Sequence, residues 1–89
     1  MKAIFKYQLG IQDISYIDMP RGAEIVRIDG LDGFIYVWAI VDTEEPNEKR
    51  KFHLFKTGGA MPDIPLKYLG CGAIFVQMEL MLYVFEEVA

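Results

Sequence analysis

Chemistry-bearing side chains concentrate in one stretch, Lys49-Arg50-Lys51-Phe52-His53-Leu54-Phe55-Lys56-Thr57-Gly58-Gly59. Its cations alternate with aromatic rings. Positive charge for a phosphate and a flat π surface for a base are what binding a nucleotide needs. The same run also reads as the charged, solvated side of an edge strand. On a strand, Lys49, Lys51 and His53 share one face, while Arg50 points with Phe52 and Leu54. Lys56-Thr57-Gly58-Gly59 lacks the Gly-x-x-x-x-Gly-Lys-Ser/Thr spacing and has no following helix, so it is not a P-loop. Glycine-flanked N–H groups with the Thr57 hydroxyl and Lys56 can instead hold one phosphate as a small anion nest. A plain glycine turn after a strand is the simpler alternative.

Other reactive side chains are sparse. His53 is the single histidine, a poor start for a metal site. For acid–base work it needs a carboxylate brought close by folding. Asp13, Asp18, Asp42 and Asp63 are possible partners, and their spacing singles out none. Cys71 is the only cysteine, which excludes an intrachain disulfide and points to a reducing compartment. Its neighbours Gly70 and Gly72 suggest close backbone packing more than a nucleophile. Trp38 reads as core, or as a stacking platform if it lines a cavity between subunits. No catalytic residue, metal ligand or cofactor motif is assigned.

The elements that must position these groups are strands. Ile4 to Leu9, Ile14 to Met19, Glu24 to Asp29, Gly33 to Asp42, Lys49 to Lys56, Tyr68 to Val76 and Met78 to Val88 are separated by glycine and proline turns. In Glu24 to Asp29, Val26 and Ile28 point one way and Arg27 and Asp29 the other. Asp29-Gly30 and Asp32-Gly33 mark the tightest hairpin. Helix competes for the last segment because Met, Glu and Leu form helices well, but Tyr83, Val84, Phe85 and Val88 favour strand. About seven short strands predict an all-β, single-domain sandwich or small barrel over residues 1–89.

Phe34 to Val41 is apolar at odd and even positions alike. A strand with one wet face alternates, so both faces of this one are expected to be covered. With no amphipathic helix available, a second copy of the chain is the expected cover, giving a homo-oligomer. The 53% hydrophobic content exceeds the roughly 45–50% usual for soluble domains and agrees with that expectation. A net charge of −4 with 13 carboxylates argues against polymeric nucleic acid, whose phosphates they would repel. Lysines interrupt any apolar leader near Met1, and no apolar run approaches the ~20 residues of a membrane helix. A cytoplasmic protein without membrane contact is expected.

The order of Lys6-Tyr7-Gln8-Leu9, Met19-Pro20-Arg21-Gly22-Ala23, Trp38-Ala39-Ile40-Val41-Asp42, Thr57-Gly58 and Phe85-Glu86-Glu87-Val88 resembles a family of short phage and bacterial proteins known as a domain of unknown function. The chain is also similar in kind to small oligomeric phage anti-CBASS sponges, which capture a cyclic nucleotide immune signal without cleaving it. That resemblance implies sequestration of a cyclic dinucleotide such as 3'3'-cyclic GMP-AMP by a homo-oligomer, a tetramer among the options. The resemblance carries no ligand residues across. From charge and aromatic character the candidates are Arg21, Trp38, Arg50, Lys51, Lys56, Thr57 and Gly58. The alternative is a non-enzymatic interaction module that binds a host protein or serves as a small structural phage component.

Overall fold

The computed structural model describes residues 1–88. Every regular element is a strand: β1 (Lys2–Leu9), β2 (Ile14–Pro20), β3 (Glu24–Leu31), β4 (Phe34–Asp42), β5 (Asn47–Lys56), β6 (Leu66–Val76) and β7 (Met78–Glu87). They form two antiparallel sheets, a three-stranded β1-β4-β3 and a four-stranded β2-β5-β7-β6. The two sheets pack as a sandwich. The last segment is strand because Tyr83 and Phe85 pair across to Phe55 and His53. Cross-strand packing of this kind outweighs the helix propensity of Met and Leu.

The core lies between the sheets. Ile35, Val37, Ala39 and Val41 of β4 face inward at 0–1% exposure, and Phe52, Leu54, Leu82 and Val84 meet them from the other sheet. Burial of a side chain such as Phe52 contributes about 1.5–3 kcal/mol. The even residues of β4 are handled differently. Tyr36 and Trp38 are half-buried on the outer face, beneath cations from the flanking strands. Lys6 Nζ stands 4.7 Å from the Tyr36 ring centre and Arg27 4.8 Å from that of Trp38. Long cationic side chains cover apolar surface with their stems, so the chain itself supplies part of the cover expected from a second copy.

One facing is corrected. Val26 and Ile28 do not share a side, because a β-bulge at Val26 shifts the β3 register between Ile25 and Arg27. The extra residue lets Ile25 and Ile28 oppose Ala39 and Val37 toward the core, and it turns Val26 out to 47% exposure. The hairpin turn is Asp32-Gly33, with φ of 52° and 82°, the left-handed pair that suits strand twist. Asp29-Gly30 stays within β3.

The glycines beside Cys71 carry out the close packing read from the sequence. A Cβ on Gly72 would lie 2.6 Å from the Gly30 nitrogen, and one on Gly30 would overlap the Ala73 carbonyl. The backbones of β3 and β6 therefore touch where the sheets cross, and no side chain fits between them. Cys71 itself is exposed.

Candidate functional site

The larger cleft sits at the open edge of β5. Pairing of β2 with β5 begins at Ile14 opposite His53, so on that side β5 runs on toward Lys56 with no strand beside it, while β7 pairs its other side as far as Lys56 opposite Leu82. The β1–β2 connection closes over this edge, with the Leu54 N–H donating to the Asp13 carbonyl at 2.9 Å. The β5–β6 connection folds back from the other side, with the Gly59 N–H donating to the Lys56 carbonyl at 2.9 Å. Gly58 has φ of 83°, a conformation that costs glycine little. Between the two connections lies a space of about 510 Å³ walled by Ile11, Ile14, Phe55 and Pro62, with Lys56, His53 and Asp13 as its ionisable groups. Lys56 has no carboxylate within ion-pair reach among the described residues.

His53 finds a partner that spacing did not indicate. Its Nε2 is 2.9 Å from Glu87 Oε1, and Lys51 Nζ reaches the same oxygen at 3.2 Å. These contacts hold the Glu87 carboxyl below its usual range, the His53 contact first and the Lys51 contact next. Glu87 in turn raises Lys51. The His53 ring is only 5% exposed and stacks on Phe55 at 5.9 Å between ring centres. Glu87 is far away in sequence and becomes a neighbour only because β7 lies beside β5 in the sheet.

A second cleft, of about 360 Å³, opens where the β2–β3 turn meets the start of β6. Arg50 lies in it but is tied into the fold through all three of its guanidinium nitrogens. Its Nε and Nη2 donate to the two oxygens of Glu86 at 2.6 and 2.7 Å, and Nη1 donates to the Ala23 carbonyl at 2.6 Å. The side chains of the pair are 14% and 12% exposed. The Glu86 hydrogen bond raises the Arg50 pKa further above its already high value. Such a fork-to-fork pair is a structural tie in which Glu86 already neutralises the charge a phosphate would need.

The remaining candidates lie elsewhere. Arg21, in the β2–β3 turn, is exposed and 3.5 Å from Glu45. Trp38 is on the outer face of the three-stranded sheet between Arg27 and Lys6, and Arg27 also ties to Asp29. That hydrogen bond, with one from the Gly30 N–H, lowers the Asp29 pKa. Lys51 faces out beside Tyr16. Of the seven candidates, Lys56 alone lines the β5 cleft; Thr57 and Gly58 follow it in the turn without lining the space, and Arg21, Trp38, Arg50 and Lys51 lie elsewhere. Glu86 and Glu87, which decide the fate of Arg50 and Lys51, were missed because their only signal was ordinary acidity near the end of the chain.

Known proteins place the chain only at family level. No curated protein and no solved structure matches it. Its similarity is to a family model that spans residues 1–89, and the chain belongs to that family, described as Domain of unknown function (DUF7352).

Proposed function

We propose that this protein is a non-enzymatic capture protein that binds a cyclic dinucleotide, such as 3'3'-cyclic GMP-AMP, in the β5 cleft and releases it intact. The observation that carries the reading is Lys56, a cation with no carboxylate partner among the described residues, beside a glycine turn at the mouth of an apolar cleft. A volume of about 510 Å³ falls within the roughly 300–1,000 Å³ of ordinary small-molecule sites. Phe55, Ile14 and Pro62 offer apolar surface to a base, and Lys56 beside Gly59 offers charge to a phosphate. Asp13 also lines the cleft, so the phosphate belongs at the Lys56 end. A cyclic dinucleotide carries two such halves, and a twofold assembly of this chain presents the cleft twice. The choice of ligand class and of a host-cytoplasmic setting follows from the likeness in kind to small oligomeric phage sponge proteins.

The test is calorimetric titration with 3'3'-cyclic GMP-AMP, followed by chromatography of the recovered ligand. Binding with intact recovery supports capture. Recovered linear product would make the His53–Glu87 pair a catalytic candidate instead.

One observation favours the interaction-module reading. The outer face of the four-stranded sheet carries Tyr16 and Tyr68 at 57% and 52% exposure, with Phe55, Tyr83 and Phe85 half-buried between them. Aromatic residues gathered in this way suit a protein surface. That reading predicts no heat with any cyclic nucleotide.

A further inference from the structure

The two sheets leave four edge strands: β1 and β3 in one, β2 and β6 in the other. An open edge offers unpaired N–H and C=O groups to any passing strand, and proteins blunt such edges with bulges, proline, short length or a covering element. Three of the four are blunted here. β3 carries the bulge at Val26, and β6 has a register break between Tyr68 and Gly70. Both are also pressed against each other at Gly30 and Gly72. β2 is the shortest strand and ends in Pro20.

β1 has none of these devices. It pairs with β4 without interruption from Lys2 to Leu9 and contains neither glycine nor proline. Its lysines are a partial defence, but Lys6 is folded over Tyr36 and does not stand off the edge. Both faces of the strand leave apolar groups in water. Ile4 is 64% exposed on the outer face. Phe5 is on the face that Tyr7 and Leu9 turn toward the core, yet it is 40% exposed. An aromatic ring on the core side of an open, regular edge marks a core that continues into another molecule.

From this we infer that β1 pairs with β1 of a second copy, antiparallel about a twofold axis, to make one continuous six-stranded sheet. The lysines fix the register. If Phe5 faces Phe5 of the partner, then Ile4 opposes Lys6, Ala3 opposes Tyr7 and Lys2 opposes Gln8. No like charges meet. Centring on Lys6 sets lysine against lysine, centring on Ile4 sets Lys2 against Lys6, and centring on Tyr7 pairs only Phe5 to Leu9. Like charges directly opposite are unfavourable, and aromatic pairs are favourable. This pairing stands on strand geometry and not on the ligand reading, so its failure would remove the twofold presentation of the cleft but not binding of a phosphate at Lys56 in one cleft.

The test combines molar mass in solution with a disulfide trap. Residues directly opposite in an antiparallel pair have Cα atoms about 4.5–5.5 Å apart, inside the reach of a disulfide. Phe5→Cys in a Cys71→Ser background is expected to cross-link to a dimer under mild oxidation. Phe75→Cys in the same background, at a position 73% exposed, is expected to stay monomeric on a denaturing gel. Phe5→Lys is expected to halve the molar mass measured by light scattering while the far-ultraviolet spectrum remains unchanged. Monomeric wild type at about 100 μM would overturn the proposal. So would an oligomer that survives Phe5→Lys, or equal cross-linking at both cysteine positions.

Discussion

Arg50 and Lys56 share strand β5 and, by strand parity, one of its faces, yet they end in opposite states. Arg50 is fixed by two bonds it donates to Glu86 and one to the Ala23 carbonyl. Lys56, beyond the last residue of β5 that β2 pairs, has no carboxylate partner among the described residues. The smaller cleft is thus lined by a paired cation, and the larger one by a cation with no carboxylate partner among the described residues. A cation's usefulness for binding depends less on its neighbours in sequence than on whether folding brings it a carboxylate.

The sharpest way to break the comparison is at Arg50. Arg50→Ala leaves Glu86 charged, unpaired and mostly buried, and it should cost about 3 kcal/mol of stability in a urea titration. Replacing both partners with Arg50→Met and Glu86→Leu should recover most of that loss, because apolar isosteres of a buried pair are often neutral. A single Arg50→Ala variant as stable as wild type would show that Arg50 is available for a ligand after all.

Lys56→Ala should do the reverse. It should leave the melting temperature unchanged and weaken cyclic dinucleotide binding about tenfold, the loss expected for one charge-assisted phosphate contact of roughly 1.4 kcal/mol. Asp13→Asn should shift affinity the other way by a few-fold, since it removes the like charge from the same cleft. Titration calorimetry of the two variants side by side checks both signs.

A smaller effect sits on the outer face. The folded Glu87 pKa is lowered by His53 and Lys51, so its contribution to stability is complete above the unfolded value of about 4.3. It is lost as pH falls through the lower folded value. Asp42 acts in the same direction, lowered mainly by the Glu44 N–H and then by the N-terminal amine. Urea midpoints should therefore decline from pH 5 toward pH 3, and Glu87→Gln should make that decline shallower. Lys51→Ala should have the least effect of all, because exposed pairs contribute little.

Much of the fold is legible in the sequence because it rests on local signals. Alternation, Asp32-Gly33 and Pro20-Arg21-Gly22 mark the strands and turns directly. The bulge at Val26 is not legible, since an extra residue in β3 has no local signature and shows only against β4. The site is less legible than the fold. The basic run reads as one cluster, but parity sends Arg50 inward and Lys51 outward, and the sorting carboxylates come from β7 at the far end of the chain. The glycine turn at Thr57-Gly58 is legible as a turn because a positive φ at Gly58 is a local property of the chain.

The most direct measurement is paired calorimetry of wild type and Lys56→Ala against 3'3'-cyclic GMP-AMP, with the ligand recovered and chromatographed. The account predicts saturable heat for wild type, intact ligand afterwards, and about tenfold weaker binding for Lys56→Ala. No heat with wild type, or the same affinity in both proteins, would contradict it.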